Sequence, residues 1–234
     1  MEVCVNLKEQ AAQRALAYVR DDMILGLGTG STAALFVDLL GQKMQAGEFH
    51  HLVGVPTSES TAQRARGWGI PLASLDEQPH LDLAVDGADE VDPDLNLIKG
   101  LGRALLREKI VEIHAERLII VVDESKLVPR LGRGPLPVEI VPFAAQAQVR
   151  WLSTLGCRAE LWREDDGEPI VTDNGNYLAR CWFAGGIPDP GALAWALAGR
   201  PGIVEHGLFL DMADTVIVAG AGGIRLFERA PSRR

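Results

Sequence analysis

At 234 residues, with 47% hydrophobic side chains and a formal net charge of −9, the chain can bury a core sufficient for one or two domains. The negative balance disfavours unspecific binding to nucleic-acid phosphates, and no run reaches the roughly eighteen apolar residues of a membrane span. Cys4, Cys157 and Cys181 are widely spaced and match neither a disulfide framework nor zinc-ligand spacing, which points to small buried hydrophobes in a reducing, cytoplasmic setting. The first residues lack a basic stretch leading into a long apolar one, so no secretory leader is expected.

Residues 7–20 have the periodicity of an amphipathic helix, with Ala11, Ala15, Tyr18 and Val19 on one side and Lys8 near its start. A short apolar strand over 23–28 runs into the turn GLGTGST (Gly26 to Thr32), and a helix is expected over 33–40. Strand, Gly/Thr/Ser turn and helix together present free backbone N–H groups and a positive dipole end to an anion. A dinucleotide fingerprint starting at Gly26 fails because Ser31 stands at its last glycine, and no GK[ST] follows for a triphosphate loop. A site for one phosphate fits better, with a ligand-free strand–helix connection as the bland alternative.

The second strand is expected over 51–55. It leads into PTSEST, where Thr57 and Ser58 read first as caps of a helix running to Arg66 and stopping at Gly67. Strands over 70–75 and 81–85 come next, and the latter ends in the acids of DGADEVD (Asp86, Asp89, Glu90, Asp92). Ligands of open α/β sheets sit beyond the carboxyl ends of strands, so acids there mark a site, although Asp also serves as a turn residue and helix cap. Lys99-Gly-Leu-Gly-Arg follows, then a helical segment holding Glu108. Periodicity puts Leu106, Ile110 and Ile113 on one face and Glu108 roughly 200° from Leu106, which by itself predicts a solvated Glu108. A β-branched run over 117–123 predicts a fully buried strand, with Lys126 in the loop after it.

Repeated strand–helix alternation indicates a doubly wound, Rossmann-like α/β fold with a parallel sheet. Beyond the proline-punctuated stretch PLPVEIVP the pattern changes. A helix over 143–155, strands over 158–162 and 170–172, a turn at Asp173-Asn-Gly-Asn, a strand over 177–183, a helix over 190–198 and a strand over 203–207 are expected. If 158–162 and 170–172 form one interrupted strand, the order is β-α-β-β-α-β, the ferredoxin-like pattern. The expected organisation is therefore a main domain of residues 1–134 and 208–234 with a smaller α+β domain, 135–207, inserted in it. A strand over 215–220 should return to the main sheet, and the tail from Ala230 should fray.

DGADEVD, KGLG at Lys99, LREKI around Glu108, GLGTGST and VTDNGN (Val171 to Asn176) together resemble the signature blocks of the A-type ribose-5-phosphate isomerase family. They occur in that family's order along essentially the whole chain. The resemblance implies an aldose–ketose isomerase of the non-oxidative pentose phosphate pathway, interconverting D-ribose 5-phosphate and D-ribulose 5-phosphate through an enediolate. It makes Glu108 the proton carrier, against periodicity. Asp86 and Asp89 become the partners of sugar hydroxyls, and Lys99 the stabiliser of developing oxyanion charge. Thr29, Gly30, Ser31 and Thr32, with Lys8 and Lys126, become the phosphate holders. Gly87, Ala88, Gly100, Leu101 and Gly102 are further substrate contacts.

The resemblance also implies no metal, no cofactor, and a homodimer or homotetramer, with a small sugar phosphate and neither nucleic acid nor membrane as partner. Leu101 and Arg103 depart from the family's glycine-rich loop, and Leu101 would block a contact that needs φ > 0 there. Mg²⁺ could sit on Asp86, Asp89 and Asp92, but the motif lacks an EF-hand's full spacing and the histidines form no HxxxH-type pair. Two alternatives stay open on the residues alone: a sugar-phosphate-sensing module, or a group-transfer enzyme with a glutamate nucleophile, like coenzyme A transferases.

Overall fold

A computed structural model describes residues 6–230, so Cys4 and the tail beyond Ala230 lie outside the described residues. Along the chain run α1 (Leu7–Ala15), β1 (Ile24–Leu27), α2 (Ser31–Gln45), β2 (Val53–Pro56), α3 (Glu59–Gly67), β3 (Leu83–Asp86), β4 (Glu90–Val91), β5 (Leu97–Ile98), α4 (Leu105–Glu112) and β6 (Leu118–Asp123). After them come β7 (Leu136–Ile140), α5 (Ala145–Leu152), β8 (Arg158–Leu161), β9 (Tyr177–Trp182), α6 (Pro190–Ala198), β10 (Ile203–His206), β11 (Leu208–Phe209), β12 (Thr215–Gly220) and β13 (Gly223–Glu228). The chain folds into two compact units. One takes the residues up to Ala88, Arg107–Lys126 and those from Met212 onward; the other takes Asp89–Leu106 and Leu127–Asp211. The segment expected as an insert, 135–207, lies wholly within the second unit, which also includes the stretch holding Asp89 and Lys99.

The first unit is built on a six-stranded sheet in the order β13-β12-β6-β3-β1-β2, parallel except for β13. Parallel strands buried on both faces must be apolar throughout, and LIIVVD in β6 and TVIVAG in β12 satisfy this. Ala11, Ala12 and Ala15 of α1 and Phe36, Val37 and Leu40 of α2 pack with Leu25, Leu27, Leu83, Val85, Ile119, Val121, Ile217 and Ala219. Small side chains on α1 let that helix lie close to the strands. Asn6 caps α1 and Ser58 caps α3 by accepting the amides of Glu9 and Thr61, a contact typically worth about 1 kcal/mol.

From β1 the chain crosses to β2 on one side, and β3 then pairs with β1 on the other. That reversal makes the carboxyl ends of β1 and β3 the topological switch point, where an open α/β sheet presents its ligand crevice. The strand expected over 70–75 is reduced to a single bridge, Gly54 with Leu72, in an otherwise irregular segment. Strand β13, at the edge of the sheet with all six residues exposed, was not expected from the sequence.

The second unit contains an antiparallel four-stranded sheet in the order β10-β7-β9-β8. With α5 after β7 and α6 after β9, this is the ferredoxin-like arrangement. Val138, Ile140, Ala179 and Cys181 from the sheet pack with Val149 and Leu152 of α5 and Leu193 and Leu197 of α6. The strand expected over 170–172 is represented only by the bridge Val171 to Tyr177. Thr172 and the turn after it serve a polar centre instead: Thr172 Oγ1, Asn174 Nδ2 and Asn176 Nδ2 all donate to Oε1 of the buried Glu139, at 2.9, 3.1 and 2.9 Å. A three-stranded sheet, β11-β5-β4, completes this unit.

Candidate active site

In the first unit the turn after β1 is held by Asp86 at the end of β3. Asp86 Oδ1 accepts the Thr29 amide at 3.0 Å and the Gly87 amide at 2.6 Å. A Cβ at Gly28 would overlap the Asp86 carboxyl group, so glycine there is what allows the two strand ends to join. Gly26 serves packing rather than ligand approach, since a Cβ on it would come within 2.8 Å of Ala84 and 2.9 Å of Val111.

The Thr29 hydroxyl lies in a cluster of its own kind, 2.7 Å from Thr57 Oγ1, 2.8 Å from Ser58 Oγ and 3.2 Å from Thr61 Oγ1. Thr57 and Thr61 in turn donate to the carbonyls of Leu27 and Gly28. Both polar groups of Thr29 are thus engaged within the protein. Capping accounts for Ser58, as the sequence suggested, but the hydroxyl cluster was not foreseen, because its members come from two turns 28 or more residues apart.

Gly30 adopts φ +116°, and α2 begins at Ser31 with no side chain capping its first turn. The first-turn amides of this fifteen-residue helix and its positive dipole end therefore favour an anion. Lys8 Nζ donates to Ser31 Oγ at 2.9 Å, so the α1 lysine lies beside the start of α2. Lys126 follows β6, and Lys8 and Lys126 both act on Asp123. Burial raises the Asp123 carboxyl, but the hydroxyl and amide of Ser125 together with the two lysines outweigh it and hold the group below the usual carboxylate range.

Glu108 stands in the first turn of α4 and is 2% exposed, whereas Ile110 is 40% exposed and Ile113 63%. The helix turns its acidic residues inward, for Glu112, one turn on, is buried as well. Apolar periodicity predicted the opposite, and it fails because this helix withdraws two carboxylates from water.

The second unit holds the other candidates. The Asp89 amide donates to the Ile98 carbonyl at 2.8 Å, and Asp89 Oδ2 accepts the Leu101 amide at 2.9 Å. Lys99 is buried; its amide donates to the Gly207 carbonyl at 2.9 Å, and its ammonium lies 5.3 Å from the centre of the Phe209 ring. Positive φ in the glycine loop falls on Gly100 (+106°) and Arg103 (+69°), not on Leu101, so leucine is tolerated without strain. Leu101 contributes its amide through a backbone conformation open to any residue. Asp92 is taken up by its own turn, accepting the amides of Asp94 and Asn96 at 2.9 Å each.

A family model for ribose 5-phosphate isomerase A (phosphoriboisomerase A) matches residues 53–223. The chain belongs to this family. It is 50% identical to the ribose-5-phosphate isomerase A of Bradyrhizobium diazoefficiens, over 96% of each chain. With the Synechococcus protein of the same name it shares 52% identity, over 96% of this chain and 98% of the relative. Among solved structures, a D-ribose-5-phosphate isomerase in complex with phospho-erythronic acid superimposes with a TM-score of 0.92 at 46% identity, covering 95% of this chain and 98% of that one. The ribose 5-phosphate isomerase A of Methanocaldococcus jannaschii gives 0.90 at 40% identity, with the same coverage. The glycine-rich turn, the acidic strand end and the buried Glu108 thus occur together in a member of the ribose-5-phosphate isomerase A family. Among the described residues no helix is long and apolar enough to cross a membrane.

Proposed function

We propose that this protein interconverts D-ribose 5-phosphate and D-ribulose 5-phosphate, a step of the non-oxidative pentose phosphate pathway. The observation that carries the reading is the likeness, at about half identity over nearly the full chain, to proteins named for that isomerisation. A solved relative that holds a phosphorylated sugar acid supports the same class of ligand.

The chemistry follows from the residues. The uncapped start of α2, from Gly30 to Thr32, takes the phosphate with Lys8 and Lys126, and Thr29 sets the shape of the turn. Anchoring the phosphate orients the reacting carbons. The Glu108 carboxylate removes the C2 proton of the open-chain aldose, and the C–H electron pair forms the C1–C2 double bond while O1 becomes an oxyanion. The Lys99 ammonium supplies positive charge to that oxygen. Glu108 then returns its proton to C1 while the O2 proton passes to O1, which leaves the ketone at C2 and a hydroxyl at C1. Asp86 and Asp89 accept hydrogen bonds from sugar hydroxyls and hold the chain open. Gly87, Ala88, Gly100, Leu101 and Gly102 offer backbone groups. The step needs neither metal nor cofactor. A cytoplasmic homo-oligomer is part of the same reading; the free thiols of Cys157 and Cys181 suit a reducing compartment.

The test is ketose formation from ribose 5-phosphate, followed by absorbance or NMR, with Glu108→Gln in parallel. The native protein should produce ribulose 5-phosphate, and the variant should lose about 10²–10⁴-fold in kcat. No ketose from the native protein would refute the function. An unchanged rate in the variant would refute Glu108 as the base.

A further inference from the structure

Glu90 lies in the middle of the acidic motif, yet it takes no part in the chemistry above. It is 3% exposed, and its carboxylate closes on three successive backbone amides of the second unit. Oε2 accepts from Gly132 at 2.7 Å and from Arg133 at 3.3 Å, and Oε1 accepts from Gly134. Successive amides converging on one point form a nest, a backbone device that ordinarily captures a free anion. Gly132 has φ +93°, the left-handed conformation such a nest requires. Here the protein fills its own nest.

The geometry points to a positioning role for Glu90 in isomerisation. Glu90 is a residue of β4, immediately after Asp89, and it pairs with Ile98, immediately before Lys99. The strand pair β4–β5 has only two residues on each strand, too few to fix its own register. Three carboxylate–amide bonds on one side, the Val128 amide donating to the Val91 carbonyl at 2.9 Å, and β11 pairing with β5 on the other side supply the constraint. The Asp89 amide and carboxylate, bonded to Ile98 and Leu101, take their places from that register, as does Lys99. Glu90 thus acts through Asp89 and Lys99 without touching substrate. The inference rests on the roles proposed for those two residues.

The experiment uses Glu90→Gln and Glu90→Ala in the full chain, assayed for ribose 5-phosphate isomerisation beside the native protein and a Lys99→Ala control. Glutamine turns an NH₂ donor toward amide donors and alanine leaves the nest empty, so kcat should fall about 10- to 100-fold, the usual cost of losing an orienting partner. KM should stay within about twofold, because phosphate anchoring is carried by other residues. Formate, a carboxylate small enough for the vacated nest, should restore part of kcat in Glu90→Ala and none in Lys99→Ala. Far-ultraviolet circular dichroism and thermal melting report folding alongside.

Native kcat in both Glu90 variants would overturn the inference. So would unfolding of both variants at 25 °C, or activity lost only in proportion to the folded fraction, since Glu90 would then matter for stability alone. Failure of formate to rescue a folded Glu90→Ala would also remove it. A native protein that makes no ketose fails at the level of function and is recognised before any variant is compared.

Discussion

The amide of Thr29 donates to Asp86 Oδ1 across 3.0 Å, so the turn after β1 and the end of β3 are fixed as one piece. The join depends on Gly28, because any side chain there would occupy the volume of the Asp86 carboxyl group. Gly28→Ala should therefore destabilise the protein by about 1–3 kcal/mol, the usual cost of overpacking. For a chain of this size that lowers Tm by about 2–12 °C, readable by calorimetry. Activity should fall beyond the loss of folded protein, because Asp86 and Thr29 move apart. A fully active, equally stable variant would mean that the strand ends part without consequence.

Arg103 tests how the loop after Lys99 bears its strain. The residue has φ +69°, and its guanidinium pairs bidentately with Glu164 and lies 5.5 Å from the centre of the Trp162 ring. Arg103→Ala loses both contacts and keeps the left-handed backbone. Arg103→Gly loses the same contacts but removes about 1 kcal/mol of backbone strain. In denaturant titrations Arg103→Gly should be the more stable of the two by roughly that amount. The reverse order would show that φ > 0 costs nothing at this position.

The carboxyl of Asp123 gives a pH signature. Burial works to raise it, but the Ser125 hydroxyl and amide, then Lys126 and Lys8, prevail and hold it below its ordinary value of 3.8. Because the folded group ionises more readily than the unfolded one, its contribution to stability is present in full above about pH 3.8 and disappears as pH falls through the lower folded value. Asp123→Asn should thus melt below the native protein at neutral pH, and the two Tm values should converge in strong acid. A constant difference down to the most acidic pH would show that the charge makes no contribution.

Cysteine labelling should separate the two described thiols. A hydrogen bond to the Cys157 sulfur and then burial push the Cys181 thiol well up, while the same contact draws Cys157 down. Cys181 is 1% exposed, and Cys157 is half-buried. In a Cys4→Ser background iodoacetamide should modify Cys157 in the folded protein and reach Cys181 only on unfolding. Mass spectrometry after limited labelling gives the order, and equal labelling would contradict it.

In the first unit β1, β3, β6 and β12 were legible because these strands are buried in the sheet, and in the second unit α6 falls where the pattern put it. Reading failed where side chains answer to partners remote in sequence. Residues 170–172 look like a strand, but Thr172 belongs to the Glu139 centre, 33 residues away. The inward turn of Glu108 opposes the apolar periodicity of its own helix, so only likeness to a family could single it out. Glu90 looked like one more acid in a turn, since the amides it serves lie 42 to 44 positions downstream. The φ > 0 position at Arg103 was hidden because sequence assigns such positions to glycine and asparagine first.

The hydroxyl cluster around Thr29 bears on the thermodynamics of occupancy. A turn whose amide and side chain already have fixed partners surrendered its freedom when the chain folded, so little remains to be frozen when an anion arrives. Capture at the start of α2 should accordingly show a small heat-capacity change and a nearly temperature-independent enthalpy in titration calorimetry, as expected of a preset cradle rather than a loop that wraps its guest.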